Sequence, residues 1–321
     1  MKAITQDSYG QADVLALTDV EQPVAGEGEV LVRVRAAGLD YGVWHFMAGL
    51  PYPVRAVTGL RTPRDGFRIR GRDVAGVVDA IGSGVTGFRP GDEVFGICEG
   101  SFAEFARVPV RRCLPKPARL SFEQAAALPI SGLTALTATE NVVRPGDDVL
   151  VIGAAGGVGT FAVQLAKTFG GTVTGVCSTA KVDLAGSVGA TRVIDHTRED
   201  FADGTRYDVI IDTAGRRPLR HLRRALAPKG TLVIIGGEGG GRWLGGLERN
   251  LAARLLSPFV RQRLTAPISR ERKDALERLV NLVEAGHIAP VVGRTYPLAD
   301  APQAIRDLVD GRIPGKAVIT V

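Results

Sequence analysis

The run Val149-Leu150-Val151-Ile152-Gly153-Ala154-Ala155-Gly156-Gly157-Val158-Gly159 constrains this chain more than any other. A short apolar stretch breaks off into glycines at 153, 156 and 159, and an apolar-periodic stretch, Phe161 to Lys167, follows. That order reads as buried strand, tight turn and helix. A phosphate held by backbone N–H groups needs small side chains around it, and the positive end of a helix favours its charge. The spacing is a G-x-x-G-x-x-G variant of the dinucleotide fingerprint. Glycines alone also fit an ordinary strand-to-helix turn. The strand before, the helix after and a second strand at 171–177 supply the context a dinucleotide site requires. Ala155, Gly156, Gly157, Val158 and Gly159 are the expected pyrophosphate-binding residues.

Around this motif the chain changes character twice. Residues 1–118 read as mostly β, in short strands punctuated by Gly and Pro. Glu29 to Arg35 alternates apolar and polar residues, and 73–81, 92–97 and 101–109 look similar. From 119 the pattern alternates helix and strand: strands at 149–152, 171–177, 191–195, 207–212 and 230–236, with helices at 158–169, 181–188 and 217–226. Such alternation predicts a doubly wound parallel sheet over 119–262. A glycine-rich stretch at 236–246 leads into an irregular arm through Pro258. Residues 263–321 hold an amphipathic helix at 271–285 and a last strand at 316–321, which rejoins the first domain.

Composition narrows the class. With 321 residues there is material for two domains. Nothing reaches the roughly 18 apolar residues of a membrane span. The opening Met1 to Thr5 lacks the pattern of a secretion signal. Cys98, Cys113 and Cys177 form no C-x-x-C pair, so neither a disulfide framework nor a structural zinc site is expected, and a cytoplasmic location follows. The charge is +6 and arginine dominates. The basic residues are dispersed, which argues against a nucleic-acid surface.

Several landmarks carry a resemblance that spans essentially the whole chain: Gly28 to Val34, Gly71 to Val78, Phe88 to Gly96, Ala127 to Ala135, the glycine turn, Val193-Ile194-Asp195 and Gly315-Lys316. In this order and spacing the chain resembles the medium-chain dehydrogenase/reductase superfamily, in its zinc-free, zeta-crystallin-like quinone oxidoreductase branch. The resemblance implies an α/β protein with a GroES-like β domain, a Rossmann domain and a homodimer. Zinc alcohol dehydrogenases of the superfamily carry a Cys, a Gly-His-Glu motif and a third ligand. The matching positions here are Asp40, Gly71-Arg72-Asp73 and a place near Ala127, so no metal is expected. Hydride would then pass to a quinone or an α,β-unsaturated carbonyl, which need little outside activation.

NAD-preferring sites place an acid about 20 residues after the glycine turn. Here the second strand ends Gly175-Val176-Cys177-Ser178-Thr179-Ala180-Lys181, with no carboxylate. Hydroxyls on Ser178 and Thr179 and the charge of Lys181 suit the 2′-phosphate of NADPH; Ser178 equally suits a helix cap. In the first site loop, Asp40 stands where relatives have Asn and Tyr41 where they have Pro. Asp40 is read either as a hydrogen-bond partner of the cofactor, ionised or protonated, or as a turn cap. Tyr41 is read as a proton donor or a packed aromatic. His45 takes the place of an aromatic that contacts NADPH in relatives, or simply packs. Thr134 is matched to a carboxamide contact, against ordinary helix back-bonding. Thr213, Gly236 and Gly237 fall at the carboxyl ends of strands, where such sheets bind ligands. Lys316 is read as reaching the site or as a surface lysine. The insertion at 50–70, with Trp243-Leu244 and Ser257 to Phe259, is read as lining the mouth for a bulky, flat or acidic substrate, or as surface loop.

Three functions remain open on sequence. The first is the NADPH-dependent quinone or enone reductase. The second is an enoyl reductase for a biosynthetic, carrier-bound intermediate. The third is an NADPH-binding structural or RNA-binding protein with little catalysis.

Overall fold

A computed structural model describes residues 1–237 and 241–321. Glu238, Gly239 and Gly240, part of the glycine-rich stretch noted above, lie outside the described residues. The chain divides into two units. One holds Met1–Leu133, Glu271–Ala285 and Pro290–Val321; the other holds Thr134–Arg270 and Gly286–Ala289.

In the first unit the strands are β1 (Lys2–Thr5), β2 (Ala16–Asp19), β3 (Glu29–Leu39), β4 (Asp73–Ile81), β5 (Glu93–Ile97), β6 (Phe105–Pro109) and β7 (Cys113–Pro115). β1 and β2 pair as an antiparallel ribbon. The long β3 runs through the middle of the main sheet because its apolar residues alternate. Val30, Val32 and Val34 are buried while Arg33 and Arg35 are exposed. It pairs antiparallel with both β4 and β6. The inward side chains join Ile4, Leu39, Met47, Val74 and Phe102 in one core.

The other unit supplies β8 (Asp148–Ile152), β9 (Thr172–Cys177), β10 (Arg192–Asp195), β11 (Tyr207–Asp212), β12 (Leu226–Ile234) and β13 (Arg263–Thr265). Among the described residues these form one parallel sheet in the order β10-β9-β8-β11-β12-β13. Strand order reverses between β8 and β11, the place where doubly wound sheets bind ligands. Residues 149–152 of β8 and 209–211 of β11 are buried on both faces, as their unbroken apolar runs require.

The chain then returns to the first unit with β14 (Val292–Pro297) and β15 (Lys316–Thr320). β15 lies antiparallel to β3, with Ala317 opposite Leu39. This register brings Lys316 to the end of β3, beside Asp40.

Two segments differ from the sequence reading. The stretch that begins at Asp40 is a helix, Tyr41–Ala48, and not a loop. The arm after the glycines contains a helix, Leu247–Leu256. Its residues, Leu-Glu-Arg-Asn-Leu-Ala-Ala-Arg-Leu-Leu, are nearly all strong helix formers. Among the described residues no helix is long and apolar enough to cross a membrane.

Candidate active site

The glycine turn after β8 is built for close backbone approach. Gly156 is the N-cap of the helix Gly157–Thr168. The first N–H groups of a helix have no partner within it and are available to an anion. Gly153 turns the chain at φ +84°. A Cβ on Gly159 would lie 1.9 Å from the Gly153 carbonyl oxygen, so only glycine lets this helix start against the strand end. At Gly156 the nearest such atom is 3.4 Å away. Ala155 is buried below the turn, and Val158 is half-buried. The cradle fits a pyrophosphate, which the N–H groups at 155–159 would hold.

At the end of β9, Ser178 is half-buried and starts the 3-10 turn Thr179–Lys181, but its side chain makes no cap hydrogen bond. Thr179 Oγ1 donates to Asp195 Oδ2 at 2.6 Å. Asp195 closes β10 and was not singled out as a site residue from sequence. Its oxygens also accept from Thr197 N–H and Oγ1. These donors, the Thr179 hydroxyl foremost, hold its carboxyl down at about 2. Lys181 is half-buried, and desolvation lowers its pKa.

Thr213 follows β11 and ties its end to β8: both its Oγ1 and its N–H donate to Ile152 O, at 2.8 and 3.0 Å. Arg249, also unmarked in the sequence reading, fastens the helix Leu247–Leu256 to this edge. Its Nη2 donates to Gly236 O at 2.8 Å, and its Nη1 ion-pairs with the buried Asp212 at 2.9 Å. Gly237 and Gly246 come together where a Cβ on Gly246 would meet Gly237 O at 2.6 Å. Beside these strand ends lies a cavity of about 410 Å³. Ile234, Ile235 and Pro267 make apolar wall, and Thr134, Asn250 and Arg254 supply polar groups. Asn250 Oδ1 is shielded from solvent without a hydrogen-bond partner.

In the first unit four polar groups converge. Lys316 Nζ donates to Asp73 Oδ2 (2.9 Å), Ser131 Oγ (3.0 Å) and Asp40 Oδ2 (3.4 Å). Lys316 is buried and is not a surface lysine. Asp73 Oδ1 accepts from Ile130 N–H at 2.9 Å. Gly38 makes the space: a Cβ there would lie 2.8 Å from Asp73 Oδ2 and 2.4 Å from Ala126 O. Asp40 is the N-cap of the helix Tyr41–Ala48, its Oδ1 accepting from Val43 N–H at 3.2 Å. Burial, opposed by Lys316 and reinforced by the nearby Asp40, pushes the Asp73 carboxyl up to about 6. Tyr41 Oη donates to Leu308 O at 3.1 Å. His45 Nδ1 lies 2.8 Å from Leu50 O, its ring meets Trp44 edge-on, and burial lowers its pKa.

These residues do not fit a zinc ion. At the positions matched to zinc ligands, two carboxylates are taken up by the Lys316 ammonium. Arg72, in the place of the histidine, pairs with Glu99 and Glu271 at 3.1 and 2.7 Å. Ala127 offers no donor. Among the described residues no group of three or more His, Cys, Asp or Glu could hold a metal ion.

Comparison with known proteins places this architecture. Residues 26–118 match the family described as alcohol dehydrogenase GroES-like domain, and residues 188–319 match that described as zinc-binding dehydrogenase. The chain is 30% identical over 337 residues to the chloroplast envelope quinone oxidoreductase homolog of Arabidopsis thaliana, covering 99% of this chain and 98% of that one. It is 32% identical over 338 residues to the 2-methylene-furan-3-one reductase of Solanum lycopersicum, covering 99% and 79%. A mycobacterial protein solved in complex with NADPH superposes with a TM-score of 0.84 at 30% identity, covering 100% of both chains. The fold, both domains and the full-length likeness agree: the chain belongs to the medium-chain dehydrogenase/reductase superfamily, in its quinone oxidoreductase branch.

Proposed function

We propose that this chain is a zinc-independent, NADPH-dependent oxidoreductase that transfers hydride to a quinone or an α,β-unsaturated carbonyl. The observation that carries the reading is the Lys316 ammonium bound by Asp40 and Asp73, the two carboxylates at positions matched to zinc ligands. A site with this donor set lacks the Lewis acid that eases alcohol oxidation, which favours acceptors that need little activation. The match to a zinc-binding dehydrogenase family spans residues 188–319 and so includes neither Asp40 nor Asp73.

NADPH is favoured over NADH by the absence of a carboxylate at the end of β9 and by Lys181 one turn on. The NADPH complex of the mycobacterial neighbour supports the same choice. When bound, the nicotinamide supplies the hydride. The chain's own part is to hold the pyrophosphate at 155–159 and to fix a charged, solvent-poor wall at Asp40. Thr213, Gly236 and Gly237 shape the strand ends of the parallel sheet that carries the glycine turn. The furanone reductase of tomato adds weight to the enone side of the acceptor range.

The test is NADPH consumption by metal-stripped protein against a panel of quinones and enones, with NADH in parallel and product analysis. Turnover without metal, with C=C or quinone reduction, is expected. NADPH binding without turnover on any acceptor would favour a narrow biosynthetic enoyl substrate or a non-catalytic role.

A further inference from the structure

The helix Leu247–Leu256 is mounted with its apolar side outward. Its inward face carries Ala253, which is buried, and Arg249, whose guanidinium is tied to the buried Asp212. Leu247, Leu251 and Leu255 recur every four residues and so share the opposite face. All three are exposed. A helix of a globular fold ordinarily turns such a stripe to the core. The flanking residues extend the stripe. Trp243 is 76% exposed, Phe259 86% and Ile268 83%, and Leu244 is exposed as well. Of the twelve large apolar side chains exposed among the described residues, seven lie between 243 and 268. Scattered singly such residues need no account, but gathered in one segment they mark a surface that meets a partner.

The same segment carries the charge. Residues 241–270 hold six arginines and one glutamate, which makes five of the chain's six net positive charges. Four of these arginines are exposed close in the chain to the apolar residues. Arg242 adjoins Trp243, Arg254 adjoins Leu255, Arg261 follows Phe259 by two residues and Arg270 follows Ile268 by two. Arg254 also lines the cavity at the strand ends together with Leu247, Leu251 and Ile268, so the helix and the stretch after β13 meet in one surface.

Apolar side chains bordered by arginine select a partner that is anionic at its face and apolar beneath. A second copy of this chain is not such a partner. Across a two-fold axis the patch would meet itself, arginine against arginine with one glutamate to share. A nucleic acid would satisfy the arginines and leave Leu251, Leu255 and Phe259 in water. An anionic bilayer satisfies both sets, with phosphates for the guanidinium groups and acyl chains for Leu and Phe. Trp243, beside this helix, is a residue type that membrane–water interfaces favour.

We propose that this surface docks the protein on an anionic lipid bilayer, with the helix Leu247–Leu256 lying in the headgroup plane and Trp243 and Phe259 inserted beside it. The chain lies on the membrane and does not span it. This docking is independent of the reaction proposed above.

The experiment is cosedimentation of the full chain with vesicles of phosphatidylcholine, with and without phosphatidylglycerol, alongside tryptophan emission with brominated acyl chains as quencher. The chain has two tryptophans, Trp44 and Trp243, and Trp243→Phe isolates the exposed one. Wild type is expected to partition about ten-fold more strongly onto the anionic vesicles and to lose most of that gain at high salt. Trp243 emission should shift to the blue and be quenched. Leu255→Gln/Phe259→Gln changes two exposed positions outside the cavity lining, so it should melt with wild type. It should lose about ten-fold in partitioning. Arg261→Gln should lose part of the binding to anionic vesicles and none of the binding to neutral ones. Absence of partitioning, equal partitioning onto neutral and anionic vesicles, or an unquenched Trp243 would overturn the proposal. Binding that Arg261→Gln weakens and Leu255→Gln/Phe259→Gln does not is the behaviour of a general polyanion site, nucleic acid included, and would overturn it too. So would a wild-type dimer in lipid-free sedimentation velocity that the same double variant dissociates, since the surface would then be the contact between two copies.

Discussion

Lys316 Nζ lies 2.9 Å from Asp73 Oδ2, and both side chains are buried. Neither residue is near the other in sequence. They meet because β15 pairs with β3 and β4 pairs with β3 from the other side. The pair is a tie across the end of the sheet, and Asp40 and Ser131 complete it. Removing one partner of a buried pair leaves the other charge uncompensated, at a cost of about 3–5 kcal/mol. Lys316→Met is therefore expected to lower the melting temperature by roughly 6–12 °C. The double variant Lys316→Met/Asp73→Leu should recover a large part of the loss, because an apolar replacement of a whole buried pair is close to neutral. Scanning calorimetry of the three proteins reads this directly; a double variant no better than the single one would mean that the charges are not coupled.

The same carboxyl gives a pH signature. Asp73 stands at about 6 in the fold, above its ordinary value of 3.8, chiefly through burial. The folded protein holds a proton that the unfolded chain releases between these two values. Stability from this group is thus present at low pH and declines as pH rises from about 4 to about 6. Asp73→Asn removes the titration. The difference in melting temperature, wild type minus variant, should fall across that window; a flat difference would place the Asp73 pKa near its ordinary value.

Gly159 and Gly156 test the cradle against each other. A Cβ at 159 would strike Gly153 O at 1.9 Å, whereas a Cβ at 156 would only touch it at 3.4 Å. Gly159→Ala must shift backbone that the pyrophosphate needs, and is expected to weaken NADPH at least ten-fold, about 1.4 kcal/mol. Gly156→Ala should cost clearly less. Titration of nicotinamide fluorescence gives both constants. Equal losses would show that the steric limit set by Gly153 does not govern binding.

Periodicity made the parallel sheet legible. β8 and β11 are apolar runs between glycines and turn residues, and the glycine turn locates the switch point without any contact information. β3 was legible for the opposite reason, the alternation of Val32 and Val34 with Arg33 and Arg35. What escaped has a common cause. The burial of Lys316 depends on strand register between residues far apart in sequence, and a lone lysine carries no local mark of it. Asp195 and Arg249 act through partners on neighbouring strands and helices, Thr179 and Asp212. The helix Tyr41–Ala48 starts with β-prone Tyr and a Gly, and only the Asp40 cap, which the turn reading of that residue hints at, signals it.

Cofactor choice turns on what the groups near the end of β9 can offer a phosphate. Thr179 spends its hydroxyl proton on Asp195 at 2.6 Å, so it cannot at the same time donate to a ligand. Ser178 makes no cap hydrogen bond with its side chain, and Lys181 brings the positive charge. A hydrogen bond to a charged group contributes about 1.5–3 kcal/mol, and partial exposure places Lys181 at the lower end. Lys181→Met is accordingly expected to weaken NADPH about ten-fold while leaving NADH within two-fold. Thr179→Val should change NADPH affinity less than Lys181→Met does, since its hydroxyl serves Asp195. Ser178→Asp places a carboxylate where NAD-preferring sites carry one and should shift the ratio toward NADH. Dissociation constants for both cofactors with the three variants decide the matter. If Lys181→Met weakened the two cofactors equally, its charge would act on the shared pyrophosphate or on folding, and the proposed preference for NADPH would lose its support at the end of β9.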